Sequence, residues 1–176
     1  MMKKGVYAAG LSLFNEDCSL NIEATIKHAS STIKKGSHGV FFFGSTGQSQ
    51  LISISEKKTL ISKIANHKLK KYFYLGTGCN SLKDNIDLIK YAMEYDFKEF
   101  LIMPPAYYNG NTDEGVFSFY SSLISVIPKI RIILYNFEKL SRFKFSESLV
   151  TNLVKKYPKN IIGCKDSSYN LYDKLK

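Results

Sequence analysis

The sequence predicts an α/β fold of the TIM (β/α)8-barrel type, and three observations support that prediction. Short apolar segments alternate with longer segments of helical periodicity, at the roughly thirty-residue spacing of a β/α repeat. Most of the apolar segments lead directly into a polar or glycine-rich motif. A barrel gathers the carboxyl ends of its strands at one face, where active sites lie. An open doubly wound sheet stays the alternative, because it also alternates strands and helices.

Six short apolar segments, bounded by polar residues or glycine, are predicted to be strands. They are Val6–Phe14, Gly39–Phe43, Tyr72–Gly76, Glu99–Met103, Ile130–Tyr135 and Asn160–Lys165. A complete barrel needs eight β/α units and typically about 250 residues, whereas the chain has 176. We therefore expect about six of the eight units in a single partial domain, residues 1–176, and interpret the chain as a fragment or the product of a truncated gene.

Helices are predicted between the strands from apolar residues at helical spacing, beginning with Ile22, Ile26, Ala29 and Ile33 in the first. Residues that favour helix ends bound them. The predicted starts of the later helices are Ser55, Ser81, Thr112 and Ser146, and the predicted stops are Gly36, Pro128 and Pro158.

The formal net charge of +10 raises the question of nucleic acid. Arg131 and Arg142 are the only arginines, although base readout and bidentate phosphate contacts favour arginine. The lysines are spread over predicted helix faces, and we interpret them as a solvated surface; examples are Lys27, Lys34, Lys57, Lys63, Lys83 and Lys90. A basic nucleic-acid-binding module is therefore only a minor alternative.

The remaining composition predicts a cytoplasmic protein. No apolar run approaches the ~18 residues of a membrane span, and residues 1–6 are not followed by the apolar stretch of a secretory signal. Cys18, Cys79 and Cys164 are widely spaced and odd in number, which predicts neither a disulfide framework nor a zinc site.

Lys165 is the strongest candidate for chemistry, because it ends the last predicted strand and a polar loop follows it. Partial removal from water favours the neutral amine, and a positioned neutral amine can form a Schiff base with a carbonyl substrate. The alternative is a lysine whose stem lies on apolar surface while its amine reaches water.

Tyr135 is the predicted partner of Lys165. Side chains alternate along a strand, so Tyr135 shares a face with Ile133, and Lys165 shares a face with Gly163, opposite Cys164. If both faces point into a barrel, a phenol lies beside the amine and can transfer protons. Cys164 is interpreted as a packing residue buried under the helices.

Gly44-Ser45-Thr46-Gly47 follows the second predicted strand. It is not a phosphate-binding loop of the Walker type, since no Gly-Lys-Ser/Thr follows. Its hydroxyls and backbone N–H groups can still hold an anion such as a carboxylate. A tight turn that needs glycine for its backbone conformation is the alternative.

Five motifs occur in order along the chain. They are Gly-Ser-Thr-Gly-Gln at 44–48, Gly-Thr-Gly at 76–78, Pro-Pro-Ala-Tyr-Tyr at 104–108 with Asp-Glu-Gly at 113–115, Leu-Tyr-Asn at 134–136 and Gly-Cys-Lys-Asp-Ser-Ser at 163–168. Together they resemble the dihydrodipicolinate synthase / N-acetylneuraminate lyase family of class I pyruvate-dependent aldolases. The resemblance covers nearly the whole chain and implies a TIM barrel that assembles into dimers or tetramers.

The resemblance also implies residue roles. Lys165 matches the lysine that condenses with pyruvate, and Tyr135 matches the tyrosine that relays protons. Ser45 and Thr46, in the turn that Gly47 closes, match the hydroxyls that hold the pyruvate carboxylate. Tyr107 or Tyr108 matches a tyrosine that reaches into the neighbouring subunit's site. Neither a metal nor an organic cofactor is implied, because the lysine supplies the electron sink.

The segment after Tyr135 departs from the family pattern. Glu138 and Arg142 stand where the family usually has proline and glycine, and Leu140 stands where the synthase branch usually has arginine. Gln48 replaces the usual glutamate. The segment is closer to the lyase and sugar-acid aldolase branches, so the second substrate stays open among aspartate semialdehyde, N-acetylmannosamine and glyceraldehyde-type aldehydes. A non-catalytic truncated remnant is the main alternative function.

Overall fold

A computed structural model describes residues 4–172 of the chain. Strands and helices alternate along it, as the sequence predicts. The strands are β1 Tyr7–Ala9, β2 Gly39–Phe42, β3 Phe73–Gly76, β4 Glu99–Ile102, β5 Arg131–Asn136 and β6 Ile161–Asp166. The helices are α1 Ile22–Lys34, α2 Ile54–Ala65, α3 Leu82–Glu94, α4 Asp113–Val126, α5 Glu138–Ser141 and α6 Glu147–Lys156.

The chain divides into two compact units. The first runs to Gly78 and takes in Asp87–Phe97, and the second comprises Cys79–Ile86 and the chain from Lys98 onward. The interpretation of the chain as one domain stays a prediction.

In the first unit β1, β2 and β3 pair in parallel. One face of these strands is buried, and its apolar residues include Val40, Phe42, Phe73 and Leu75. The opposite face carries half-buried aromatic side chains, among which Phe41 stacks on Tyr74 at a ring-centroid distance of 5.1 Å.

In the second unit β4, β5 and β6 also pair in parallel. The register between β5 and β6 shifts once: Ile132 is opposite Ile161, but the next residue, Ile133, is opposite Gly163. Ile162 is therefore an extra residue in β6. Tyr120 on α4 is buried, and its hydroxyl donates a hydrogen bond to the Ile102 carbonyl at 2.9 Å. Burial raises the pKa of this phenol.

The predicted caps are confirmed at Thr112 and Ser146, whose hydroxyls accept from Gly115 N and Leu149 N. The predicted start of α2 at Ser55 is wrong. Ser53 is the N-cap, because Glu56 lies three residues later and completes a capping box with it. Glu56 also accepts from Leu20 N at 2.7 Å. These hydrogen bonds, led by the one from the Ser53 hydroxyl, lower the pKa of Glu56.

Three further expectations need correction. The first strand is three residues long rather than nine, because beyond Gly10 the chain leaves β2 and Leu13 N donates instead to Thr25 Oγ1. Cys164 is exposed rather than buried, because no described helix follows β6 to cover it. Lys57 is only 2% exposed and does not belong to the solvated lysines.

None of the helices within residues 4–172 combines the length and the apolar character needed to cross a membrane.

Candidate active site

The structure brings Lys165 and Tyr135 together in the second unit. The two residues are directly opposite each other in the β5–β6 ladder. The Lys165 Nζ lies over the Tyr135 ring, 4.1 Å from its centroid. Tyr135 is 4% exposed and Lys165 is half-buried. A ring face at this distance attracts a cationic nitrogen, so the amine is held at one place against a buried phenol.

The register shift is what makes these two residues opposite. Continuing the pairing of Ile132 with Ile161 without the extra residue Ile162 would set Tyr135 against Cys164. Because side chains alternate across a strand, such a one-residue slip would turn Lys165 to the other face.

A hydrogen-bonded pair joins the ends of the same two strands. Asn136 Nδ2 donates to Asp166 Oδ1 at 2.7 Å, and Ser167 N donates to the Asn136 carbonyl at 2.8 Å. The Asn136 side-chain carbonyl also accepts from Phe145 N at 3.4 Å. Ser168 Oγ donates to Asp166 Oδ2 at 2.8 Å. The polar loop after Lys165 is thereby tied to the end of β5.

The hydroxyl-bearing turn lies in the first unit, at the end of β2. Ser45 is half-buried, Thr46 is exposed and Gly47 is buried. A Cβ on Gly47 would lie 2.8 Å from the Gly10 carbonyl, so only glycine fits here. Phe43, just before the turn, has φ +60°, a strained conformation for a bulky residue of the kind that collects at functional sites.

Lys57 supports a neighbouring loop from within the first unit. Its Nζ donates to the carbonyls of Thr77 and Gly78 at 3.0 and 2.9 Å, and it lies 5.9 Å from the Phe43 ring centroid. These are the second and third residues of the Gly-Thr-Gly motif. Gly78 has φ +55°, and a Cβ there would collide with the Ser49 side chain.

Tyr107 and Tyr108 lie in the second unit, beyond β4, and both project from the surface. They are 81% and 78% exposed, and their rings make an edge-to-face contact at 5.2 Å. Tyr107 has φ +82°. Asn80 Oδ1 accepts from Ala106 N at 3.0 Å, which anchors the loop before the tyrosines.

The segment after Tyr135 forms α5, a short helix that the sequence patterns did not reveal. It ends at Ser141 and is capped by Arg142, whose φ of +57° is a conformation that glycine adopts most readily. Leu140 is 45% exposed, and Lys139 Nζ lies 5.0 Å from the centroid of the Tyr169 ring. The ends of β5 and β6 and the segments that follow them therefore contact each other at two places. One is the hydrogen bond from Ser167 N to the Asn136 carbonyl, and the other is the contact between Lys139 and the Tyr169 ring.

The predicted site residues thus fall into two groups. Tyr135 and Lys165 are brought together, and Tyr107 and Tyr108 belong to the same unit; the turn of Ser45, Thr46 and Gly47 belongs to the other unit. Sequence reasoning missed the Asn136–Asp166 pair, although each residue directly follows a candidate catalytic residue.

Comparison with known proteins gives a consistent result. The model of the Dihydrodipicolinate synthetase family matches residues 2–176. A 4-hydroxy-tetrahydrodipicolinate synthase of Agrobacterium fabrum is 31% identical over 97% of this chain and 57% of its own length. An uncharacterized DapA-like lyase of Pyrococcus furiosus is 32% identical over 93% of this chain and 54% of its own length.

The fold of the chain is that of solved members. The crystal structure of dihydrodipicolinate synthase from Agrobacterium tumefaciens superposes with a TM-score of 0.90 at 29% identity, covering 97% of this chain and 60% of that one. The predicted fold class, six of the β/α units of a TIM barrel, is confirmed. The chain spans a little more than half the length of the relatives that it matches.

Proposed function

The chain belongs to the dihydrodipicolinate synthetase family, and from this premise we propose that it is a pyruvate-dependent class I aldolase with Lys165 as its Schiff-base residue. The observation that carries the proposal is the Lys165 amine held 4.1 Å over the centroid of the Tyr135 ring on the adjacent strand. An amine positioned beside a proton-transferring phenol is what condensation with a ketone needs.

The chemistry follows from these two groups. The neutral Lys165 amine attacks the ketone carbon of pyruvate and forms a C–N bond, and protonation of the resulting hydroxyl lets it leave as water. The protonated imine draws electrons from the methyl carbon, which loses a proton to give an enamine. That carbon then forms a C–C bond with an aldehyde, and water hydrolyses the imine to release product and regenerate the amine. Cleavage runs through the same steps in reverse.

We assign the pyruvate carboxylate to the turn of Ser45, Thr46 and Gly47. Two hydroxyls and backbone N–H groups in a turn supply donors for one anion. Buried Gly47, which tolerates no Cβ, and strained Phe43 before the turn support a backbone shaped for a ligand rather than for a simple strand connection.

The aldehyde is assigned only to a class. Leu140 stands on α5 at the position where the synthase branch of the family usually has arginine, and a leucine cannot pair with a carboxylate. This favours an acceptor aldehyde without a carboxylate over aspartate semialdehyde. We further propose that the protein acts as a homo-oligomer, because Tyr107 and Tyr108 form a projecting aromatic pair of the kind that anchors protein interfaces.

The test is covalent trapping. The purified chain is incubated with pyruvate and borohydride, which reduces an imine to a stable amine, and its intact mass is measured. One reduced pyruvate adduct is expected on the wild type and none on Lys165→Ala. Lys139→Ala, an exposed lysine on α5, is the matched control and should keep the adduct.

A second candidate is a family member that keeps the fold without the activity, favoured by the departures from the family pattern at Glu138, Leu140 and Arg142. A folded wild type without an adduct would support that candidate. An adduct that persists in Lys165→Ala would contradict the assignment of Lys165.

A further inference from the structure

We propose that Asn136 and Asp166 form a positioning latch that holds β5 and β6 in the shifted register and so keeps the Lys165 amine against the Tyr135 ring. This inference rests on the proposed function for its catalytic consequence. Its structural part, the placement of Lys165, does not depend on activity. Each residue acts through the strand that carries its neighbour.

The need for a latch comes from the register itself. Ile162 is an extra residue in β6, and the register that it creates, rather than the regular one, puts Lys165 opposite Tyr135. A strand that can pair in two registers is held in one of them by contacts that exist only there. The Asn136–Asp166 hydrogen bond is such a contact, because these residues are also opposite each other only in the shifted register.

The latch lies one residue beyond the catalytic pair on both strands. Asn136 is 9% exposed, and it also accepts from Phe145 N, so its amide is fixed from both sides. Asp166 also accepts from Ser168 Oγ, which fixes the carboxylate. A charged acceptor strengthens the Asn136 hydrogen bond relative to a neutral one. The latch therefore joins two loops that each follow a residue of the proposed site.

The direction of the hydrogen bond suggests the decisive variants. Asn136→Asp sets two carboxylates against each other and breaks the latch. The double variant Asn136→Asp/Asp166→Asn restores it with the donor on the other strand. In that double variant, position 136 still accepts from Phe145 N, and position 166 still accepts from Ser168 Oγ. The hydrogen bond between the strands reverses its direction, and the bond that Ser168 N donates to Asp166 Oδ1 at 3.3 Å is lost.

Two readouts are measured on the full chain. The first is the rate of borohydride trapping with pyruvate. The second is NMR of the chain labelled with ¹³C at the lysine ε carbon, in which the ring current of Tyr135 shifts the Lys165 signal upfield. The Lys165→Arg variant identifies that signal by its loss. If Asn136 and Asp166 contributed only to folding, the NMR shift of Lys165 in the folded molecules would stay unchanged.

In Asn136→Asp we expect the upfield shift to collapse and trapping to slow by about tenfold or more, since a displacement of about 1 Å can cost up to about 10²-fold. The double variant should restore both. Asn160→Asp is the matched control: Asn160 donates to the Pro128 and Ile130 carbonyls at the opposite end of the same strands, so its loss should leave the shift in place.

An Asn136→Asp chain that keeps the wild-type shift, or a double variant that does not recover it, would overturn the latch. If Asn136→Asp does not fold, Asn136→Ala removes the donor without adding charge and is judged by the same shift. If the wild type shows the shift but traps no pyruvate, the proposed function fails while the NMR comparison still decides the latch.

Discussion

Tyr135 offers Lys165 two different groups, a ring face and a hydroxyl. The ring face lies under the Lys165 Nζ at 4.1 Å and attracts the nitrogen when it is cationic. The hydroxyl is the group that can exchange protons with the carbinolamine. A substitution that removes only one of them separates positioning from proton transfer.

For Tyr135→Phe we expect imine formation with pyruvate to slow by about 10²-fold or more, the usual contribution of a general acid–base group. The upfield NMR signal of Lys165 should persist, because the ring remains. Tyr157→Phe, which removes a hydroxyl elsewhere in the second unit, serves as the control and should react at the wild-type rate. Equal trapping rates in Tyr135→Phe and wild type would remove the phenol from the mechanism.

The juxtaposition of Tyr135 and Lys165 was predictable, because side-chain alternation and parallel pairing place the ends of neighbouring strands together. The register that achieves it was not, since an extra residue such as Ile162 leaves no pattern in a short apolar strand. Cys164 shows the same limit. Alternation places Cys164 on the face of β6 that Lys165 does not share. The exposure of Cys164, however, depends on which elements cover β6.

At the scale of the elements, α2 does more than cover the sheet of the first unit. Its N-terminus is tied to the preceding chain by Glu56, and its buried Lys57 reaches the loop after β3. Periodicity placed Lys57 among solvated lysines, because its partners are backbone carbonyls twenty residues away that carry no residue-type signal. The helix therefore braces the Gly-Thr-Gly motif.

We expect Lys57→Met to lower the free energy of unfolding by about 2–3 kcal/mol, because the side chain keeps its apolar stem but loses the donor to two carbonyls. Lys63→Met is the matched control on the same helix. Its side chain is exposed, and the substitution should change stability by no more than about 0.5 kcal/mol. Urea unfolding measures both, and equal stabilities for the two variants would show that the Lys57 contacts contribute nothing.

The element boundaries illustrate how local signals succeed and fail. Thr112 and Ser146 begin helices as predicted, because each hydroxyl caps a helix by itself. Ser55 was mistaken for a cap because Ser53, two residues earlier, offers the same hydroxyl, and the choice depends on Glu56 folding back to Ser53. The short helix α5 had no signal at all, since Glu138 and Arg142 replace the proline and glycine expected there.

At the scale of the whole molecule, charge and surface aromatics act in opposite directions on assembly. Copies of a chain with formal net charge +10 repel each other. Tyr107 and Tyr108 offer a large apolar contact area, and Asn80 anchors the residue that precedes them, Ala106. Assembly through the tyrosines should therefore strengthen with added salt, which screens the repulsion. Binding of nucleic acid through the lysines would weaken under the same conditions.

Replacing both tyrosines, Tyr107→Ala/Tyr108→Ala, should raise the dissociation constant of the homo-oligomer by about tenfold or more, which corresponds to about 1.4 kcal/mol. Sedimentation velocity over a concentration series at low and high salt measures this change. Tyr172→Ala, at a side chain that is 83% exposed, is the control for loss of an exposed aromatic ring and should assemble normally. A wild type that stays monomeric at every concentration, or a double variant that associates as tightly as wild type, would show that the projecting pair is not an assembly anchor.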